Sequence, residues 1–159
     1  MKNIHTLPTE KPSRLKQNKI TKKYSLVTKG IDLTMYTPQN IYIASDVTDI
    51  NENDYIITQD GRLVQVSYLL SKDLEGASKV ILTTDQDLIK DGVQAIDDEF
   101  LEWFVKNPSC EGVEVADLWK DGNPSTHFSY QIIIPQEEPK QELNLNCFDS
   151  SVTFLFWVR

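Results

Sequence analysis

Glycine is scarce in this chain, with six in 159 residues, and none stands in a GxGxxG or GxxxxGK[ST] arrangement. No loop is therefore built to wrap phosphates with backbone amides. Histidine is scarcer still: His5 and His127 are the only two, in no HxxxH or HxH pair and with no nucleophile-elbow sequence. That leaves little for a histidine metal centre or a Ser/His/Asp nucleophile. The two cysteines, Cys110 and Cys147, lie 37 positions apart and form no CxxC motif. Both read as free thiols in a reducing compartment. Glu111 beside Cys110 disfavours the thiolate, so a reactive cysteine is not expected there. Long apolar runs are missing too. The longest, Phe154 to Val158, falls far short of the ~20 residues of a membrane span. No apolar stretch follows Met1-Lys2-Asn3-Ile4-His5, so no secretory signal is read and a cytoplasmic location is expected.

Acids are plentiful, but their spacing does not describe a reaction centre. From Asp85 to Gly92 a calcium loop fails, because its fifth position is Ile89 and the glycine falls two places late. Glu138-Pro139-Lys140 has the spacing of a metal-nuclease pair, yet proline inside it suits a strand poorly. The sequence thus predicts no catalytic residue, no metal and no cofactor.

Charge is unevenly distributed. Residues 1–30 carry eight Lys/Arg against the single acid Glu10, a local charge of +7. The other 129 residues hold eight basic and 23 acidic side chains, a local charge of −15 within a net −8. Such asymmetry marks separate electrostatic roles, or a basic segment lying on its own acidic body. Pro8 and Pro12, with no sustained period around them, predict a basic extended arm over 1–22 that is dispensable for folding.

From residue 23 to 135 the pattern predicts an α+β core domain dominated by antiparallel strands, with one main helix and a short helical turn. Runs at Tyr24–Val27, Ile31–Tyr36 and Ile41–Ile43 read as short strands, the last two separated by Pro38-Gln39-Asn40. Tyr55–Thr58 and Leu63–Tyr68 flank Asp60-Gly61 and predict a tight hairpin. Further strands are expected at Lys79–Thr83, Val113–Leu118 and Phe128–Ile134. Asp97 caps the predicted helix Asp98–Lys106, whose Phe100, Leu101, Phe104 and Val105 form one apolar stripe. A helical turn from Thr84 to Asp87 is expected to stop at Gly92.

Residues 136–143 read as a charged linker and residues 144–159 as an apolar C-terminal strand or tail. Three placements stay open for Val152–Val158: a last strand of its own sheet, a strand exchanged in a homodimer, or an edge laid on a partner.

The opening MKNIHTLPTEKPSRL, the block ILTTDQDLIKDGVQAIDDEFLEWFVKNPSCEGVEV and the segment YQIIIPQEEPKQE resemble an uncharacterised family. It is found in phages, prophages and genomes of flavobacteria and related bacteria. The resemblance implies a small accessory protein of a mobile element, working inside a bacterial host. It carries no activity, fold or site residue across. The ending LNLNCFDSSVTFLFWVR departs from the charged, helix-prone stretch expected there.

The function expected is therefore non-enzymatic: binding and inhibition of a host protein or ribonucleoprotein, specifically a CRISPR RNA-guided nuclease. Asp98, Glu99, Glu102, Phe154, Phe156 and Trp157 are the candidate partner contacts. A nucleic-acid-binding accessory factor is the alternative, touching RNA through Lys11, Arg14, Lys16, Lys19, Lys22 and Lys23. A phage structural or assembly component is the third reading.

Overall fold

A ten-residue strand organises the molecule. In the computed structural model, which describes residues 4–27, 33–46, 49–67, 74–119 and 128–136, that strand runs Tyr36–Ser45 and pairs along both edges. The strands in chain order are β1 (Ile4–Pro8), β2 (Leu15–Asn18), β3 (Tyr24–Leu26), β4 (Tyr36–Ser45), β5 (Tyr55–Ile57), β6 (Leu63–Gln65), β7 (Ser78–Thr83), β8 (Gln94–Ala95), β9 (Glu114–Trp119) and β10 (Phe128–Ile133). Helix α1 (Gln86–Lys90) follows β7, and α2 (Asp98–Lys106) follows β8. The fold is α+β: a mostly antiparallel sheet in one domain, with one main helix and one short helix.

The N-terminal segment is not an arm. Pro8 of β1 and Leu15 of β2 both take Gln39 as their register partner. A strand residue has one neighbour per edge, so β1 and β2 flank β4 on opposite sides and residues 9–14 cross over it. Leu15 is 0% exposed in the main core, between two cations that made it read as solvated chain.

Pro38 does not break β4 either. Its carbonyl accepts from the Thr9 amide at 3.0 Å. The N–H it lacks would face the same edge, opposite Thr9 just past the end of β1 at Pro8, so the missing donor costs at most one bond, at the very end of that ladder. Of the strand expected at Ile31–Tyr36, Leu33–Met35 form a 3₁₀ turn instead and Tyr36 opens β4, while Ile31 and Asp32 lie outside the described residues.

In β7, Leu82 faces Ile43 while Val80 faces the next residue, Ala44, so Ile81 is an extra residue in the ladder. A bulge of this kind flips the alternation. Leu82 joins the main core with Leu15, Ile41, Ile43 and Phe100, whereas Val80 joins a second cluster with Tyr42, Ala44, Ile57 and Leu88. The unbroken Val80-Ile81-Leu82 run is thus shared between two cores.

The β5–β6 turn is looser than a two-residue Asp-Gly turn. The Thr58 amide donates to Arg62 O and the Gly61 amide to Thr58 O, with only Gly61 at positive φ (+80°). That is a three-residue loop closed by a glycine bulge.

Helix α2 forms as its pattern requires. The Asp97 carboxylate accepts from the Phe100 amide at 2.7 Å, and Phe100, Leu101 and Phe104 are buried. The Phe104 ring meets Tyr24 of β3 edge-on, their centroids 5.1 Å apart. The β9–β10 ribbon is a separate two-stranded sheet resting on the same core through Val115, Tyr130 and Ile132. The Gln94 side chain ties it down, donating to Tyr130 O and accepting from Tyr130 N.

Candidate interaction surfaces

The six N-terminal cations have three different fates. Lys11 forms an ion pair with Asp87 of α1, and Arg14 one with Asp98 at the start of α2. Both acids sit in the first turns of helices, where negative charge complements exposed amides. The cations therefore fasten the crossover to the two helices. Lys16 is 6% exposed, its stem covered within the sheet. Of the six cations expected from the sequence at a nucleic-acid surface, these three are thus engaged or covered within the chain.

Lys19, Lys22 and Lys23 remain, gathered at the tip of the β2–β3 hairpin. The tip is held by its own backbone. Asn18 Oδ1 accepts from the Ile20 and Thr21 amides at 2.9 Å each, and Lys22 takes the left-handed conformation at φ 59°. The Asn18 amide donates to Lys23 O, and the Gln17 side chain donates to Lys22 O. Among the described residues no acid pairs with these three lysines.

The acids proposed as partner contacts divide in the same way. Asp98 is held by Arg14, whereas Glu99 and Glu102 lie on the solvent face of α2 without an ion pair among the described residues. Glu111, Glu114 and Asp117 are exposed further along. Phe154, Phe156 and Trp157 lie outside the described residues, as do the charged linker beyond Gln136 and the C-terminal tail.

A buried polar network lies at the end of β7, within the TTD of the central block. Tyr42 OH donates to Asp85 Oδ2 at 2.8 Å, and Asp85 Oδ1 accepts from the Asp87 amide at 3.0 Å. Thr83 Oγ1 donates to Ile41 O and accepts from the Asp85 amide, while Thr84 Oγ1 accepts from the Ile41 amide. Burial and the Asp85 carboxylate push the Tyr42 hydroxyl well above the usual phenol range. Each of these groups has a partner, and together they lock α1 to β4. In the sequence these residues read only as a helix entry, because their partners on β4 are 43 positions away.

A cleft of about 850 Å³ opens beside the β5–β6 hairpin. Ile56, Val64 and Leu74 contribute apolar surface to its lining, and Asp60, Arg62 and Glu75 contribute charge. The charged pair Arg62–Asp60 is internal to the turn. Among the described residues no three His, Cys, Asp or Glu side chains converge as metal ligands. No helix among them is long and apolar enough to cross a membrane.

No family model matches the chain, and no curated protein or solved structure does. The functional reading rests on the charged surfaces themselves.

Proposed function

We propose that this is a non-enzymatic accessory protein of a phage or other mobile element. It binds and inhibits a host macromolecule in the bacterial cytoplasm, and a CRISPR RNA-guided nuclease is the specific target. The setting comes from the likeness of its opening and central block to phage and prophage proteins.

The observation that carries the reading is the imbalance of exposed charge. Lys11 and Arg14 are held in ion pairs by acids of the same chain and Lys16 is buried, so of the six N-terminal cations only Lys19, Lys22 and Lys23, confined to one hairpin tip, are exposed without an acid among the described residues. Glu99, Glu102, Glu111, Glu114 and Asp117 face solvent with no such partner among the described residues. A surface of this sign is attracted to a basic channel built for nucleic acid and competes with the polyanion there.

The test is cleavage of target DNA by a guide-loaded host nuclease with increasing amounts of this protein. Inhibition is expected, weakening as salt is raised and in the Glu99→Lys/Glu102→Lys variant. Undiminished cleavage at low salt with the protein in excess overturns the reading.

A further inference from the structure

The β2–β3 tip combines three features that a solvated turn does not need. It is ordered by the Asn18 side chain, which fixes the Ile20 and Thr21 amides. It concentrates Lys19, Lys22 and Lys23 with no acid paired to them among the described residues. And it holds an isoleucine in water: Ile20 is 73% exposed. Beside it lies a second exposed apolar side chain, Met35 at 40%, joined to the tip because the Lys19 amide donates to Met35 O at 3.0 Å. Lys19 Nζ donates to Thr34 O at 2.7 Å, which bends its stem along the same surface.

An apolar wedge flanked by ammonium groups on a β-ribbon has the chemistry of a duplex DNA contact. Lysines neutralise phosphates on the groove rims while an Ile or Met side chain meets sugars and base edges between them. Single-stranded nucleic acid fits less well, because it needs aromatic platforms. The hairpin's one aromatic, Tyr24, is already used: its hydroxyl bonds Thr6 at 3.0 Å and its ring packs on Phe104. The chain's net charge of −8 also argues for a small protruding contact. Acids more than about 8 Å from the phosphates are largely screened at physiological salt.

We infer that the β2–β3 tip is a docking site for the minor groove of duplex DNA, with Lys19, Lys22 and Lys23 on phosphates and Ile20 as the apolar wedge. This inference stands apart from the acidic-surface reading, because it concerns bare DNA and needs no host protein.

The experiment is titration of a labelled random-sequence DNA duplex with the full chain between 50 and 200 mM salt. Three phosphate contacts predict a slope of log K against log salt of about −2.7, or about a fortyfold loss of affinity over that range. Lys22→Gln/Lys23→Gln, which touches no side-chain bond of the fold, should bring the slope to about −0.9. Ile20→Ser should weaken binding roughly tenfold and leave the slope unchanged, since the contact it removes is apolar. No duplex binding at 50 mM overturns the inference. So does a lysine variant with the wild-type slope, or an Ile20→Ser variant with wild-type affinity. Binding to vesicles rich in anionic lipid, with the duplex ignored, overturns it in favour of a membrane surface.

Discussion

Residues 4–18 and residues 97–107 press on the same core by different means. The second segment is nearly self-sufficient. Its cap, its apolar face and its stop at Asn107 all lie within eleven consecutive residues, and the Asp97 side chain closes its first turn. The first segment depends far more on distant chain. β1 takes its ladder bonds from β4, more than 30 positions away. β2 has a local hairpin partner in β3 but takes its other edge from β4, 18 to 24 positions away, and the crossover between β1 and β2 pairs with Asp87 and Asp98. The backbone groups of β1 and the β4-facing groups of β2 are satisfied only if β4 is present, and β4 keeps partners on both edges at Gln39 only if that segment is present.

The sharpest way to break this contrast is to cut the chain. Deleting residues 1–22 removes β1 and β2 together, which bares one edge of β4 from Gln39 to Ile43 and the other from Tyr36 to Gln39. Loss of cooperative unfolding, read by circular dichroism, is the expected result. A truncated protein with an unchanged melting curve would restore the picture of a dispensable arm.

Single side chains then compare the two segments at one core. Phe104 and Leu15 are both fully buried there. Phe104→Ala should cost about 3–5 kcal/mol and Leu15→Ala about 2–5 kcal/mol, through lost burial and a residual cavity. Denaturant midpoints measure both. A Leu15→Ala variant within about 0.5 kcal/mol of wild type, the range of ordinary surface changes, would show β2 to be only laid against the core.

These two segments also show what the sequence makes legible. Helix α2 declares itself because an Asp before an i, i+3, i+4 apolar stripe is a local pattern, and every residue that stabilises the helix is within sight of it. Leu15 does not, since a lone apolar residue between Arg14 and Lys16 looks solvated until its β4 partner is known. Pro38 misleads in the opposite direction, because whether a proline is tolerated depends on which edge of the strand is paired. The bulge at Ile81 is equally silent in the sequence. Of the candidate site, the charge asymmetry is readable in the sequence, but the division of its cations into acid-paired, buried and acid-free is not. Ile20 passed unnoticed because its exposure is set by the Asn18 turn, not by its neighbours' composition.

A smaller effect tests the local half of the contrast. Asp97→Ala removes the acceptor for the Phe100 amide and should cost about 1 kcal/mol, the ordinary value of a helix N-cap. Asp97→Asn, which keeps an acceptor oxygen, should recover most of it. If both variants unfold at the wild-type midpoint, α2 is held by its buried face alone.

The smallest effect is a pH dependence written into β1. His5 lies in the β1–β4 ladder opposite Tyr42, and burial lowers its pKa below the unfolded value of 6.5. The sign follows from proton counting. Between the lowered folded pKa and 6.5 the unfolded chain binds a proton that the folded chain does not, so stability falls as pH drops through this window. Above 6.5 both states are neutral and His5 contributes no slope. Replacing His5 by Gln should flatten the stability curve from about pH 6.5 toward 5, before the carboxylates titrate. His127 is present in both proteins, so it cancels in the difference between the two curves. Identical curves would mean that His5 is as hydrated in the fold as in the unfolded chain, and that β1 sits on the edge of β4 without closing over it. A difference confined to this window would instead tie the N-terminal strand to the same cooperative unit as α2.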